Sequence, residues 1–191
     1  MIGDRLFRVR VSISCFVVAL FLIFSCAGKS APEGASKSVW TFDPEGIQIH
    51  YTADKLLNLQ DNESHTLLLA VYLLRDTNAF NDLAANRDGL AKLLQAERFD
   101  AAVMGVNKIV IQPGEEKTAV LNRAENARWI GVVAGYYNLE PSQVSRLFNI
   151  PVITEKKGIY GFRSTETRPG QIRIKLYLGS NALHELEVEV K

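Results

Sequence analysis

Beyond Trp40, apolar and polar residues alternate with a period of two along much of the chain. Ile47, Ile49 and Tyr51 alternate with Gln48 and His50, which predicts a half-buried strand. His65–Leu74 (HTLLLAVYLL) is apolar on both faces, the pattern of a central strand. Lys108–Gln112 predicts a short strand that ends at the turn residues Pro113-Gly114, and Glu116–Asn122 predicts its returning partner. Arg128–Tyr137 (RWIGVVAGYY) is a second strongly apolar strand. Gln171–Leu178 places Ile172, Ile174, Leu176 and Leu178 on one face and Arg173, Lys175 and Tyr177 on the other. After the turn Gly179-Ser180-Asn181, Leu186, Val188 and Val190 alternate with Glu185, Glu187 and Glu189. These last two strands predict a hairpin in which bases on one strand face acids on the other.

Two stretches break the period of two. Asn78–Gln95 carries Phe80, Leu83, Ala84, Leu90, Ala91 and Leu94 near helical spacing, with Asn78 as N-cap. Gly89 weakens its middle, and Asp88 is placed to cap a second short helix there. Pro141–Phe148, opening on proline, predicts one or two further helical turns. Seven strands joined by turns, with no βαβ alternation, predict a mainly β fold: an antiparallel β-sandwich with a helix inserted after the second strand.

The N-terminus follows a different logic. Met1–Arg10 holds Arg5, Arg8 and Arg10 against Asp4, and Val11–Phe24 is an uncharged apolar run of 14 residues. That run is short of the roughly 20 residues a bilayer span requires, but it suits a signal h-region. Ile23-Phe24-Ser25-Cys26 then resembles the bacterial lipobox, with a small residue before a cysteine. The reading is a lipoprotein signal peptide over residues 1–25, cleaved between Ser25 and Cys26. The Cys26 thiol then carries diacylglycerol and its freed amine an acyl chain. Ala27–Ser38 (AGKSAPEGASKS) has no apolar period, so residues 26–39 form a lipidated tether ahead of a sandwich domain over 40–191. About 13 tether residues span roughly 20 Å as a coil and at most roughly 45 Å extended. Ala27 is not the Asp that usually retains lipoproteins in the inner membrane, so the expected location is the outer membrane, with the domain facing the periplasm.

Composition narrows the chemistry. The chain has 191 residues, 22 Lys+Arg against 21 Asp+Glu, and a net charge of +1. An even balance argues against a nucleic-acid surface. Removing residues 1–25 discards three arginines and one aspartate, which turns +1 into −1. The two cysteines are not a pair: Cys15 leaves with the signal and Cys26 remains. His50, His65 and His184 lie far apart, and no metal motif, nucleophile elbow or P-loop is present. Gly114-Glu115-Glu116-Lys117-Thr118 reads as a hairpin turn, and Gly131 and Gly135 as sites of close packing. Asp54, Asp61, Glu63 and Asp76 have no specified geometry and read as solvated loop residues. Trp129 is assigned to the core and Trp40 to one end of the sandwich. The reading is a non-enzyme with no cofactor beyond the lipid, no metal and no small-molecule substrate. Its rivals are a lipid-anchored module that binds a small ligand or carbohydrate near Trp40 or Tyr136 and Tyr137, and a lipid-anchored hydrolase.

One order of motifs stands out. A lipobox cysteine and a first strand are followed by Leu57-Asn58, a short polar loop and HTLLLAVYLL. Next come Asn78-Ala79-Phe80, Ile111-Gln112-Pro113-Gly114-Glu115 and RWIGVVAGYY. This order resembles the outer-membrane lipoprotein of the bacterial type VI secretion system, the TssJ (VasD, SciN) family. The resemblance implies a transthyretin-like sandwich with an extra helix and no catalysis. It also implies binding to the periplasmic C-terminal region of the IcmF-like inner-membrane protein TssM. The contact it implies is the loop between the first two strands: Asn58, Leu59, Gln60, Asp61, Asn62, Glu63 and Ser64. These residues offer donors and acceptors, acidic charge for a basic partner, and Leu59 as an apolar anchor.

Overall fold

The computed structural model describes residues 39–157 and 164–190. The expected signal peptide over residues 1–25, with Ser25 and Cys26 at its expected cleavage site, and the expected tether up to residue 38 lie outside the described residues.

Alternation builds the first sheet. Strand β1 (Asp43–Ala53) buries Ile47, Ile49, Tyr51 and Ala53. It pairs antiparallel with β4 (Glu116–Arg123) and parallel with β9 (Ile172–Leu178), and β9 pairs antiparallel with β10 (Leu183–Val190), in the order β10-β9-β1-β4. Among the described residues the parallel β1–β9 pair is the one exception to the antiparallel pairings. The second sheet has the order β3 (Val103–Ile111), β2 (Leu67–Leu74), β5 (Trp129–Ala134), β6 (Ser145–Asn149). Buried residues of both sheets form one core. A separate hairpin, β7 (Val152–Lys157) with β8 (Ser164–Pro169), completes the strands.

The β2 strand is apolar on both faces for a structural reason. Leu67, Leu69, Val71 and Leu73 share one face; Ala70 and Tyr72 lie on the other, beside Val133 and Gly131 of β5. The second face lies under two short helices, α1 (Asn78–Ala84) and α2 (Arg87–Leu93). Phe80 of α1 lies against Gly131, where a Cβ would sit only 2.6 Å from its ring, and the Tyr72 hydroxyl donates to the Leu93 carbonyl. A Cβ at Gly135 would meet Leu94 at 3.3 Å. Both glycines therefore serve close packing, as the sequence suggested.

The structure corrects four local readings. The inserted helix is two helices. The first is entered from Thr77, not Asn78, and the second is capped by Asn86, whose side chain accepts the Gly89 N–H at 2.9 Å. Asp88 lies instead in the first turn of α2, where it complements the helix dipole. Pro141–Phe148 is helical only over α3 (Pro141–Val144); from Ser145 it becomes β6 and pairs with β5. Lys108–Gln112 is the end of a longer strand. It and Glu116–Asn122 are joined by a tight turn but pair in opposite sheets, β3 with β2 and β4 with β1. On β10, Leu186, Val188 and Val190 are exposed: Leu186 is the extra residue of a bulge between Glu185 and Glu187, and Val188 and Val190, opposite Ile174 and Ile172, stand on an edge strand with no neighbour beyond it. The charged face of the same hairpin is as expected: Lys175 Nζ lies 2.6 Å from Glu187 and 2.9 Å from Glu189, and Arg173 3.4 Å from Glu189.

Strand direction sorts the connections between two ends. One end gathers the loop from Asp54 to Thr66, the β3–β4 turn, the segment from Gly135 to Glu140 and the β9–β10 turn. The other gathers the end of β2 and the start of β3, between which α1 and α2 run across the face of the second sheet, the β4–β5, β6–β7 and β8–β9 connections, and the start of the domain at Trp40. Trp40 closes this second end, as the sequence suggested. Its carbonyl accepts the Asn126 N–H at 2.8 Å, and the Arg123 and Arg128 guanidinium groups each lie 5.7 Å from its ring centroid. Trp129 is half-buried against the core.

Candidate protein-docking interface

Asp54 starts the loop that follows β1. Its carboxylate accepts the Leu56 N–H at 2.8 Å and the Tyr177 hydroxyl, while its carbonyl accepts the Gly114 N–H at 3.0 Å. The Leu56 N–H first, and the Tyr177 hydroxyl second, hold the Asp54 carboxyl below its ordinary range. One residue thus ties the loop to the β3–β4 turn through its backbone and to β9 through its side chain.

Leu57 is fully buried, and Asn58 is only 5 % exposed. Asn58 has a φ of 49°, a left-handed conformation that asparagine tolerates better than most residues. Its Nδ2 donates to the Thr66 carbonyl at 3.1 Å and its Oδ1 accepts the Tyr137 N–H at 2.9 Å. Asn58 therefore shapes the loop and offers nothing to solvent. Leu59 is half-buried, with its N–H given to the Ser180 carbonyl at 2.9 Å.

Gln60–Glu63 is a miniature hairpin. The two residues exchange backbone hydrogen bonds of 3.0 and 2.9 Å, and Asp61 and Asn62 between them have φ of 53° and 62°. Positive φ at both central positions is the requirement of a type I′ turn, and Asp and Asn meet it with little strain. Gln60, Asp61, Asn62, Glu63 and Ser64 are all exposed. The loop closes where the His65 N–H meets the Leu57 carbonyl at 3.0 Å, and the His65 ring stands edge-on to Tyr137 at 5.1 Å. The five exposed residues are therefore displayed on a fixed frame.

Beside the loop lies an open groove of about 490 Å³, lined by Asn58, Thr66, Leu68, Val110, Tyr136 and Tyr137 among others. Val110 and Tyr137 are exposed. Tyr136 is buried and its hydroxyl is donated to the Ala182 carbonyl at 2.8 Å; burial pushes its pKa upward. The apolar contact that the sequence assigned to Leu59 is thus available at Tyr137 and Val110. The sequence had named Tyr137 only for a rival ligand site, and no local pattern marked Val110, because topology brings both to the loop.

The other chemical candidates are dispersed. Asp54, Asp61 and Glu63 share the loop end, whereas Asp76 lies at the opposite end. His50 bonds Thr118 on the first sheet, His184 stacks near Tyr177, and His65 belongs to the loop. Among the described residues no group of three His, Cys, Asp or Glu is placed to hold a metal, and no helix is long and apolar enough to cross a membrane. Gly114, with φ of 75°, turns the chain between β3 and β4, so the Gly114–Thr118 segment is a turn and strand start.

Residues 45–180 match the family model of the type VI secretion lipoproteins VasD, EvfM and TssJ. The chain belongs to this family. Type VI secretion lipoproteins of this kind are structural, not enzymatic. No curated protein matches the chain. Among solved structures it is similar to the T6SS lipoprotein TssJ1 from Pseudomonas aeruginosa, with 19% identity over 79% of this chain and 96% of that one, and a TM-score of 0.53. It is also similar to Serratia marcescens Lip, described as a membrane bound component of the type VI secretion system, with 19% identity over 74% and 96% and a TM-score of 0.53. At these identities the likeness is one of fold, and it agrees with the sandwich described above.

Proposed function

We propose that this type VI secretion lipoprotein is a two-ended structural link. Cleavage between Ser25 and Cys26 leaves Cys26 with a diacylglycerol and an N-acyl chain, which hold residues 26–39 as a tether in the outer membrane. The sandwich faces the periplasm and binds the periplasmic C-terminal region of TssM through Gln60–Ser64 and the adjoining groove, with Asn58 and Leu59 as the frame. The observation that carries this reading is positional: a rigid, exposed polar hairpin beside an apolar groove stands at the end opposite Trp40, where the tether begins. A chain of similar fold, 13% identical with a TM-score of 0.53, occurs in a solved structure described as the TssM C-terminal domain from EAEC, which supports the choice of partner.

The test is a binding titration between the signal-free chain and the periplasmic C-terminal region of its cognate TssM. Saturable binding is expected. Joint reversal of Asp61 and Glu63 to Lys should weaken it by about tenfold or more, and Tyr137→Ala by a similar factor, as 1.4 kcal/mol per tenfold and centrally placed aromatic anchors imply. No binding between two folded partners would overturn the partner. Binding indifferent to all three changes would move the interface elsewhere.

A further inference from the structure

The end of the sandwich where the domain begins carries apolar side chains that none of the described residues covers. Val39 is 68 % exposed and Phe42 57 %, on either side of the buried Trp40. The Trp40 carbonyl is held by Asn126, and its ring by Arg123 and Arg128. These bonds leave Val39 and Phe42 on the outside of a fixed segment. Val152 and Val190, also exposed, belong to strand ends that reach the same end. Charge at this end is mixed: Arg75 and Arg128 stand with Asp76, Asp100 and Glu125 in its connections. Net attraction to a charged partner is therefore weak, and the distinctive feature is exposed apolar area.

The chain itself points to the occupant. Only 13 residues separate Cys26 from Trp40. A coil of that length spans on the order of 20 Å, so a lipid on Cys26 keeps this end within one tether length of the bilayer. We infer that the Trp40 end of the sandwich docks on the lipid surface through Phe42 and Val39. Phe and Val enter the interface between headgroups and acyl chains, as the apolar face of a peripheral element does, and the tether raises their effective concentration there. Docking turns a domain that swings on a tether into one with a set orientation. The Gln60–Glu63 hairpin, at the opposite end, is then aimed away from the membrane. This inference rests on the lipidation of Cys26.

The experiment places a nitroxide label at Phe42→Cys, or at Asn62→Cys as a control, in the full chain produced in a bacterial envelope. The chain is reconstituted in vesicles of phosphatidylethanolamine and phosphatidylglycerol. With the Cys26 sulfur in a thioether, only the introduced thiol reacts. Spin relaxation is compared with oxygen, which concentrates in lipid, and with a water-soluble nickel chelate. At position 42 oxygen should dominate, at 62 the nickel chelate, and neither result should change in high salt. A label at 42 that behaves like the one at 62 overturns the docking. Shielding of 42 from both reagents also overturns it, by showing that protein covers this end, and salt-dependent release overturns the apolar contact. Flotation separates the two readings: a chain that does not float with vesicles overturns the lipidation first, and the docking with it.

Discussion

Asn58 shows how much one side chain does for the candidate interface. It is buried, left-handed, and bonded at both ends of its amide to the backbone of Thr66 and Tyr137. Asn58→Ala leaves the Tyr137 N–H and the Thr66 C=O without their partner and puts alanine at positive φ. It should cost about 2–4 kcal/mol in chemical denaturation, whereas Asp61→Asn, on the exposed turn, should stay within about 0.5 kcal/mol. The sequence offered Asn58 as a contact on the same footing as Gln60, Asn62 and Ser64, because composition does not distinguish a side chain turned inward from one turned out. The one clue was the residue type, since asparagine accepts left-handed backbone. A second residue-scale prediction concerns pH. Burial first, and the Glu115 carboxylate second, push the Tyr51 pKa from 10 to about 12. The folded state holds this proton more tightly than the unfolded state. The contribution is therefore intact below about pH 10 and lost as pH rises to about 12. Urea midpoints should fall over that window, and Tyr51→Phe should flatten the fall, with Tyr72 accounting for part of the remainder through its own shift to about 12.

At the scale of elements, the helices are fixed to the second sheet by a missing side chain. A Cβ at Gly131 would lie 2.6 Å from the ring of Phe80, which is itself only 2 % exposed and 6.0 Å from the Tyr72 ring. Gly131→Ala should destabilise by about 1–3 kcal/mol through overpacking. Adding Phe80→Leu should recover part of that, so a double-mutant cycle should report coupling between the two sites. Central strands were legible because burial imposes a pattern: β1 and β9 alternate, and β2 is apolar throughout. β7 and β8 were not, since Thr, Glu, Lys and Arg fill a hairpin outside the two main sheets and no buried face imposes a period. The assignment of β3 and β4 to different sheets was also hidden. A tight turn reads the same whether its strands pair with each other or diverge at the edge of a sandwich.

At the scale of the molecule, the useful fact is the separation of the two ends, and no local pattern contains it. It follows from the order β10-β9-β1-β4 over β3-β2-β5-β6, which sends every connection of the docking loop to one end and Trp40 to the other. The motif order and the lipobox were enough to indicate the family, and residues 45–180 match it. The separation makes the two proposed functions independently removable. Cys26→Ser takes away the thiol that the proposed function loads with diacylglycerol, and with it an anchor on the order of tens of kcal/mol at about 0.8 kcal/mol per buried methylene. It touches neither the Gln60–Glu63 hairpin nor any hydrogen bond that holds it. The variant should therefore leave the membrane fraction and fail to support secretion, yet bind the TssM region with unchanged affinity. The charge reversal at Asp61 and Glu63 should do the opposite, with normal membrane fractionation and weakened binding. Secretion supported by Cys26→Ser would show that the anchor is dispensable. Weakened binding by that variant would show that the ends are not independent.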